Sequence, residues 1–259
     1  MKLAAIYNVF SDSVDLLPNN IDSIRDSVDL VVVVSQRTSN FGEIDEYAMD
    51  LCSSLTTIDS LIEYEPVDAK PAFNEKRKME IGLDYARTCG VTHFLFLAPD
   101  EYYFPDEFEM AKMDVFGKNL MSSFCHVLPY VSPTRRFTKP EKTIVPFISK
   151  LVDSTTIGRF RGYPFYVDPT RQISPWEGHE LFPEDYMTMH HMTLVRPKMR
   201  LEQKFNNSTA RRTLKRCESD LLTLANDPTI ESHSFYHGFD CPLEAVPDYF
   251  NLEEVINKC

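Results

Sequence analysis

Short apolar runs alternating with helix-period stretches constrain the first hundred residues more than any other feature of the chain. Asp29 to Ser35 encloses Leu30-Val31-Val32-Val33-Val34, a run with no polar alternation. A segment apolar at every position fits a strand covered on both faces of a parallel sheet. Lys2 to Val9, Leu61 to Glu65 and Thr92 to Leu97 are the neighbouring strand candidates. Three amphipathic stretches lie between them. Leu17, Ile21 and Ile24 recur at helical spacing, with Ser11 or Asp12 as the cap; Ile44, Tyr47, Leu51 and Leu55 form a second stripe. Asn74 to Cys89 aligns Met79, Leu83 and Ala86, and Gly90 stands where a left-handed residue ends a helix. This βαβαβαβ order predicts an α/β fold with a doubly wound, mainly parallel central sheet, helices on both faces and right-handed crossovers. Ligands of such sheets bind beyond the carboxyl ends of the strands. Chemistry is therefore expected at Asn8 to Asp12, Ser35 to Asn40 and Ala98 to Tyr102.

The pattern changes after Asp106. A helix is expected from Pro105 to about Lys118, and a strand from Leu120 to Val127. A proline- and aromatic-rich stretch to Pro183 follows, with short strands at Thr143 to Ile148 and Tyr163 to Val167. Helices are expected from Thr209 to Ala225 and from Leu252 to Asn257. No repeat, low-complexity tract or linker interrupts the 259 residues, which read as one domain.

The formal net charge of −12 argues against a general nucleic-acid or anionic-membrane binder, since such proteins neutralise phosphates with excess Lys and Arg. No apolar run exceeds five residues, and Lys2 to Asn8 lacks the apolar core and cleavage site of a signal peptide. The six cysteines (52, 89, 125, 217, 241 and 259) form no C-x-x-C pair, and Cys52, Cys89 and Cys125 lie in apolar periodic segments as small buried thiols do. A reduced, soluble, cytoplasmic protein is expected.

From Thr92 to Glu101 a buried strand runs directly into adjacent carboxylates, Asp100 and Glu101. Hard oxygen ligands there suit Mg²⁺ or Mn²⁺, which in turn holds a diphosphate. An exposed acidic turn or helix cap is the plainer alternative. The stretch Asn74-Glu75-Lys76-Arg77, Gly82-Leu83, Ala86-Arg87, Gly90 and Thr92 to Tyr102 resembles the GT-A glycosyltransferases, especially those similar to family 2. The resemblance spans about residues 1–110, and 140–210 more loosely. It implies the GT-A (Rossmann-like) nucleotide-diphospho-sugar transferase fold, with 1–110 as the nucleotide-sugar-binding half and 111–259 as the acceptor-side half with its C-terminal helices. It also implies a nucleotide-sugar donor, UDP-linked by the habit of the family, with Asn8, Gln36 and Lys76 or Arg77 facing the nucleotide. Asp100 matches the last Asp of the Asp-x-Asp motif, which bridges metal and diphosphate, whereas Ala98 replaces the first.

The second constellation is Trp176-Glu177-Gly178-His179-Glu180, Glu184-Asp185 and His190-His191 to Arg196. By the same resemblance Glu184-Asp185 is similar to the acidic pair that supplies a general base in inverting members. Asp185 would take the acceptor proton, with Glu180 as the rival base. His191, or His190, resembles the late histidine that completes the metal site with Asp100. Adjacent histidines on a strand must face different ways. Trp176 offers an indole of the kind on which the apolar face of a sugar stacks, though core packing is the commoner role of such aromatics.

Between Arg196 and Arg216 eight cations (Arg196, Lys198, Arg200, Lys204, Arg211, Arg212, Lys215 and Arg216) meet one acid, Glu202. The strip would neutralise a leaving diphosphate or grip an anionic acceptor; a solvated helix face is the other reading, most of all for Arg211 to Arg216. Arg196 is the strip's best candidate for the donor site. Arg135, Arg136, Lys139 and Lys142 form a second cluster on a loop. No G-x-S-x-G, Walker A, G-x-G-x-x-G or H-E-x-x-H motif is present. The expected activity is metal-assisted hexosyl or related transfer to an acceptor hydroxyl on a glycan, a protein or a modified nucleic acid. The alternatives are a nucleotidyltransferase on a similar sheet and a degenerate GT-A domain that binds glycans or a partner.

Overall fold

The computed structural model describes residues 2–68, 70–208 and 211–257. Strands β1 (Leu3–Val9), β2 (Leu30–Ser35), β3 (Ser60–Glu63) and β4 (His93–Leu97) run parallel in the order β3-β2-β1-β4. Helices α1 (Leu17–Ile24), α2 (Tyr47–Ser54) and α3 (Pro71–Thr88) connect them. The apolar run behaves as its composition predicts: Val31 to Val34 are all 0% exposed. Side chains alternate across a strand, so Val31 and Val33 join one core cluster with α1 and α2, and Val32 and Val34 join the other with Met79, Leu83 and Ala86 of α3. The two-sided cover follows from that alternation. Short β5 (Glu101–Tyr102) leads into α4 (Pro105–Gly117), which packs Phe108, Ala111 and Val115 on the first face. Gly90 has φ +69, the left-handed geometry expected after α3.

The second half extends the same sheet. Strands β6 (Ser122–Ser132), β7 (Arg135–Phe137) and β8 (Ile144–Lys150) follow α4, and β8 pairs antiparallel with both β4 and β6. Strands β9 (Thr156–Ile157) and β10 (Ile173–Ser174) pair with each other. Strands β11 (His179–Leu181) and β12 (Thr188–His191) run parallel to β6, and β12 also pairs antiparallel with β5. Helices α5 (Lys198–Asn207), α6 (Arg211–Arg216) and α7 (Glu218–Asn226) precede β13 (Ser232–His233), β14 (Cys241–Ala245) and α8 (Leu252–Asn257). The fold is mixed α/β, its large central sheet mostly parallel at the core, with helices on both faces.

Several local expectations change. The helix expected from Thr209 is two helices separated at Cys217, whose φ −109 and ψ 10 leave the helical range; Thr209 itself lies outside the described residues, as does Cys259. Tyr163 to Val167 forms no strand; Tyr163 and Phe165 instead pack edge-on against Phe124. Neither Ser11 nor Asp12 caps α1, which is entered through a 3-10 turn at Val14–Leu16 with no side-chain cap bond. Cys52 and Cys125 are buried thiols pushed up to about 12 by burial, whereas Cys89 is half-buried. Among the described residues no helix is long and apolar enough to cross a membrane.

Candidate active site

A cavity of about 390 Å³ lies over the carboxyl ends of β1, β2 and β4, where strand order predicts a ligand. Three elements supply its floor by simple periodicity. Asn8 continues the parity of Ala4 and Ile6 on β1, and Gln36 that of Val32 and Val34 on β2, so both point to the α3 side. On α3 the residues Asn74, Lys78 and Gly82 recur every fourth position, and all three face the sheet. Lys78 enters the cavity at 4% exposure. Burial lowers its ammonium to about 8, despite the attraction of Glu75 and Asp12.

Asp100 forms the centre. One of its oxygens, Oδ2, accepts hydrogen bonds from Arg196 at 2.5 Å and Lys204 at 2.9 Å, with His191 Nε2 at 3.6 Å. Burial alone would raise the Asp100 carboxyl; Lys204, Arg196 and His191 outweigh it and hold the group well below the usual carboxylate range. Arg196, its side chain 1% exposed, also donates to the backbone and carboxylate oxygens of Asp12 at 2.7 and 3.1 Å. Arg200 on α5 donates to Asp15 at 2.8 Å, and Lys204 lies one turn after it, so with Arg196 just before the helix these three cations dock on acids of the first half. Three of the eight cations of the strip are thus internal. Lys198 and Lys215 instead make outer pairs with Glu202 and Glu218, and Arg211 lies 3.8 Å from the centre of the Phe41 ring.

Several buried polar atoms here have no partner among the described residues: Asn8 Oδ1, Gln36 Oε1, Asn40 Oδ1, His191 Nδ1 and Arg196 Nε. Leaving a buried polar group unmade costs about 1–3 kcal/mol, so such groups call for an explanation. Asn8, Gln36, Asn40 and His191 line the cavity, and Arg196 stands behind Asp100; such a gathering is the signature of a site built for a polar ligand.

The structure brings together Asn8, Gln36, Asp100, His191 and Arg196 of the residues singled out from sequence. Lys76 and Arg77 lie outside the cavity, each paired with Glu80 at 3.2 Å, because the helix phase turns Lys78 inward instead. Glu180 pairs with Lys118 at 2.8 Å where β11 meets the start of β6, the sheet edge opposite the cavity. Asp185 is exposed on the turn before β12, and Glu184 sits 3.8 Å from His126. His190 faces away from His191, donating to or accepting from Tyr130 Oη at 3.0 Å and packed on Phe104. Burial, and then Arg136, lower it to about 3. Trp176 packs on Phe160 and Tyr163, off the cavity. Glu101 is held by Arg171 at 2.6 Å and by the Ala98 amide at 2.9 Å.

The donor set does not fit the divalent ion that the resemblance implies. Among the described residues no three His, Cys, Asp or Glu side chains gather as ligands, and the carboxylates nearest the motif are committed to buried cations.

No family model matches the chain, and no curated protein matches it. Solved structures similar to it include S. aureus TarS at 14% identity and TM-score 0.38, covering 50% of this chain and 22% of that one. They also include TarS 1-349 in complex with UDP (14%, TM-score 0.37, 50% of this chain and 36% of that) and with UDP-GlcNAc (14%, TM-score 0.38, 50% and 35%). The chain spans about a third or less of the proteins it matches, so its functional reading rests on its own site.

Proposed function

We propose that the chain is a glycosyltransferase of the GT-A kind that takes a sugar from a nucleotide-diphosphate donor, with UDP-linked sugars first among the donors. The carrying observation is the set of buried polar atoms on Asn8, Gln36 and Asn40, without partners among the described residues, beside buried cations at the carboxyl ends of β1, β2 and β4. Amides of this kind match the donors and acceptors of a nucleobase and ribose, and the cations match a diphosphate. In the reaction the acceptor oxygen bonds to the sugar C1 as the C1–O bond to the diphosphate breaks, and the acceptor proton passes to a carboxylate.

Asp185 and Glu180 do not enter this proposal, since neither lines the cavity. Of the cavity acids Asp12, Glu75, Asp100 and Glu101, we assign Asp12 as the base. Burial holds its carboxyl above the usual range against the pull of Arg196 and Lys204, which suits proton transfer. Asp12→Asn is expected to lower kcat about 100-fold or more with donor binding kept. Thermal-shift titration against UDP-, GDP- and ADP-sugars tests the reading as a whole. At least one donor should stabilise the protein by about 2.7 kcal/mol at a hundredfold excess over Kd and release nucleoside diphosphate with an acceptor extract. Release of pyrophosphate instead would establish the nucleotidyltransferase. No stabilisation by any donor would sink the proposal.

A further inference from the structure

The buried cations around the cavity are unequal. Arg196 and Lys204 are committed to Asp100, Arg171 to Glu101, and Arg200 to Asp15. Lys78 lines the same cavity at 4% exposure, yet among the described residues its ammonium has no hydrogen bond and no ion pair. A buried ammonium without a counter-ion is costly, and the cavity is the direction from which an anion would reach it. Glu75 and Asp12 attract it from a distance only.

From this geometry, and resting on the nucleotide-sugar reading above, we infer that Lys78 holds the donor diphosphate directly and that no divalent cation takes part in binding it. The positions that would ligate a metal are already engaged. Asp100 Oδ2 lies between a guanidinium and an ammonium, and a dication placed there would face both. Glu101 has one oxygen on Arg171 and the other on the Ala98 amide. Ala98 presents a methyl group, and His191 Nε2 faces the same Asp100 oxygen as the two cations. The cationic charge that a metal would bring is supplied by the chain: Lys78 is open to the ligand, with Lys204 also at the cavity wall.

Calorimetric binding of inorganic pyrophosphate, UDP and uridine to the full chain, in EDTA and then in excess Mn²⁺, tests this. Wild type should bind pyrophosphate and UDP in EDTA, with Kd moving less than about twofold on adding metal. Lys78→Met should weaken both by about tenfold or more and leave uridine unchanged. Replacing a buried lysine by an isosteric apolar side chain should leave the melting temperature equal or higher, which is checked first. The wild-type EDTA comparison decides the metal question even if that variant fails to fold. Binding of UDP only in the presence of Mn²⁺, or wild-type affinity in Lys78→Met, overturns the inference and leaves the nucleotide-sugar reading standing. Pyrophosphate bound in EDTA with no preference for any nucleotide supports the anion site and removes the nucleotide-sugar reading. No binding of either ligand, with or without metal, overturns both.

Discussion

Asp100 lies at the cavity, where its place in the sequence puts it, and is still the wrong residue to mutate first. Its place after the apolar strand β4 put it at the ligand end of the sheet, and it lines the cavity. Its carboxylate, however, also balances Arg196 and Lys204, both deep in the protein. Removing one partner of a buried ion pair costs about 3–5 kcal/mol because the remaining charge is left unpaired. Asp100→Ala is therefore expected to lose stability of that order in urea unfolding, whereas Asp100→Asn, which keeps an acceptor, should lose less. Loss of activity in Asp100→Ala alone would say little about chemistry. A variant that melts with wild type would refute the pairing. Lys78 was missed in the sequence, although its spacing carried a signal. It falls four residues after Asn74 and four before Gly82, in phase with the apolar stripe of α3, while Lys76 and Arg77 do not. Charge drew attention to the neighbours; periodicity singles out Lys78.

Elements set which parts of the site could be read in advance. Helix α3 carries a local signal throughout: apolar spacing, a proline at its start and a glycine after its end. Gly82 shows why the helix sits where it does. A methyl group there would overlap the Ile6 side chain of β1 and crowd Val34 of β2. Gly82→Ala gains up to about 1 kcal/mol of helix propensity, but overpacking a tight core contact costs about 1–3 kcal/mol. A net loss is expected in thermal unfolding, together with weaker pyrophosphate binding, because α3 must shift and Lys78 lies one turn away. Unchanged stability would mean that Ile6 yields easily. The segment leading into α5 had its signal too, since Arg196, just before the helix, and Arg200 and Lys204 on it are evenly spaced by four. What the strip could not reveal was its partners: Asp12, Asp15 and Asp100 are far away in sequence, and only the fold brings them against Arg196, Arg200 and Lys204. Arg171 had no local signal at all. It sits in an irregular segment before β10 and is recruited by Glu101. The aromatic stretch from Phe160 to Trp176 was likewise opaque, because ring packing rather than backbone period orders it.

At the scale of the molecule, the continuous sheet makes the two halves respond together to pH. His93 lies on β4 at its junction with β8, and His190 on β12 between β5 and β6. Both are buried and held neutral. Burial, then Lys150 and the N-terminus, lower His93 to about 4; burial, then Arg136, lower His190 to about 3. An unfolded histidine titrates near pH 6.5. Between that pH and the folded values the unfolded chain binds more protons, so stability falls as pH falls. The loss begins near 6.5 and reaches about 2 kcal/mol per histidine by pH 5. Asp100 acts in a lower window with the same direction. Its depressed folded value stabilises the protein above the ordinary carboxylate range, and that contribution is lost only as pH drops through about 4 and below. Acid unfolding should therefore proceed in two separable stages. Urea midpoints between pH 7 and 5 should fall steeply in wild type and about half as steeply in His190→Phe, whose ring fills the pocket without a proton to gain. Asp100→Asn should keep the wild-type slope in that upper window and flatten only the arm below pH 4. A wild-type slope in His190→Phe would show that the histidine takes up its proton as readily folded as unfolded, despite the packing of Phe104 and Phe250 around it, and a slope steeper than wild type would mean that an acid pairs with it.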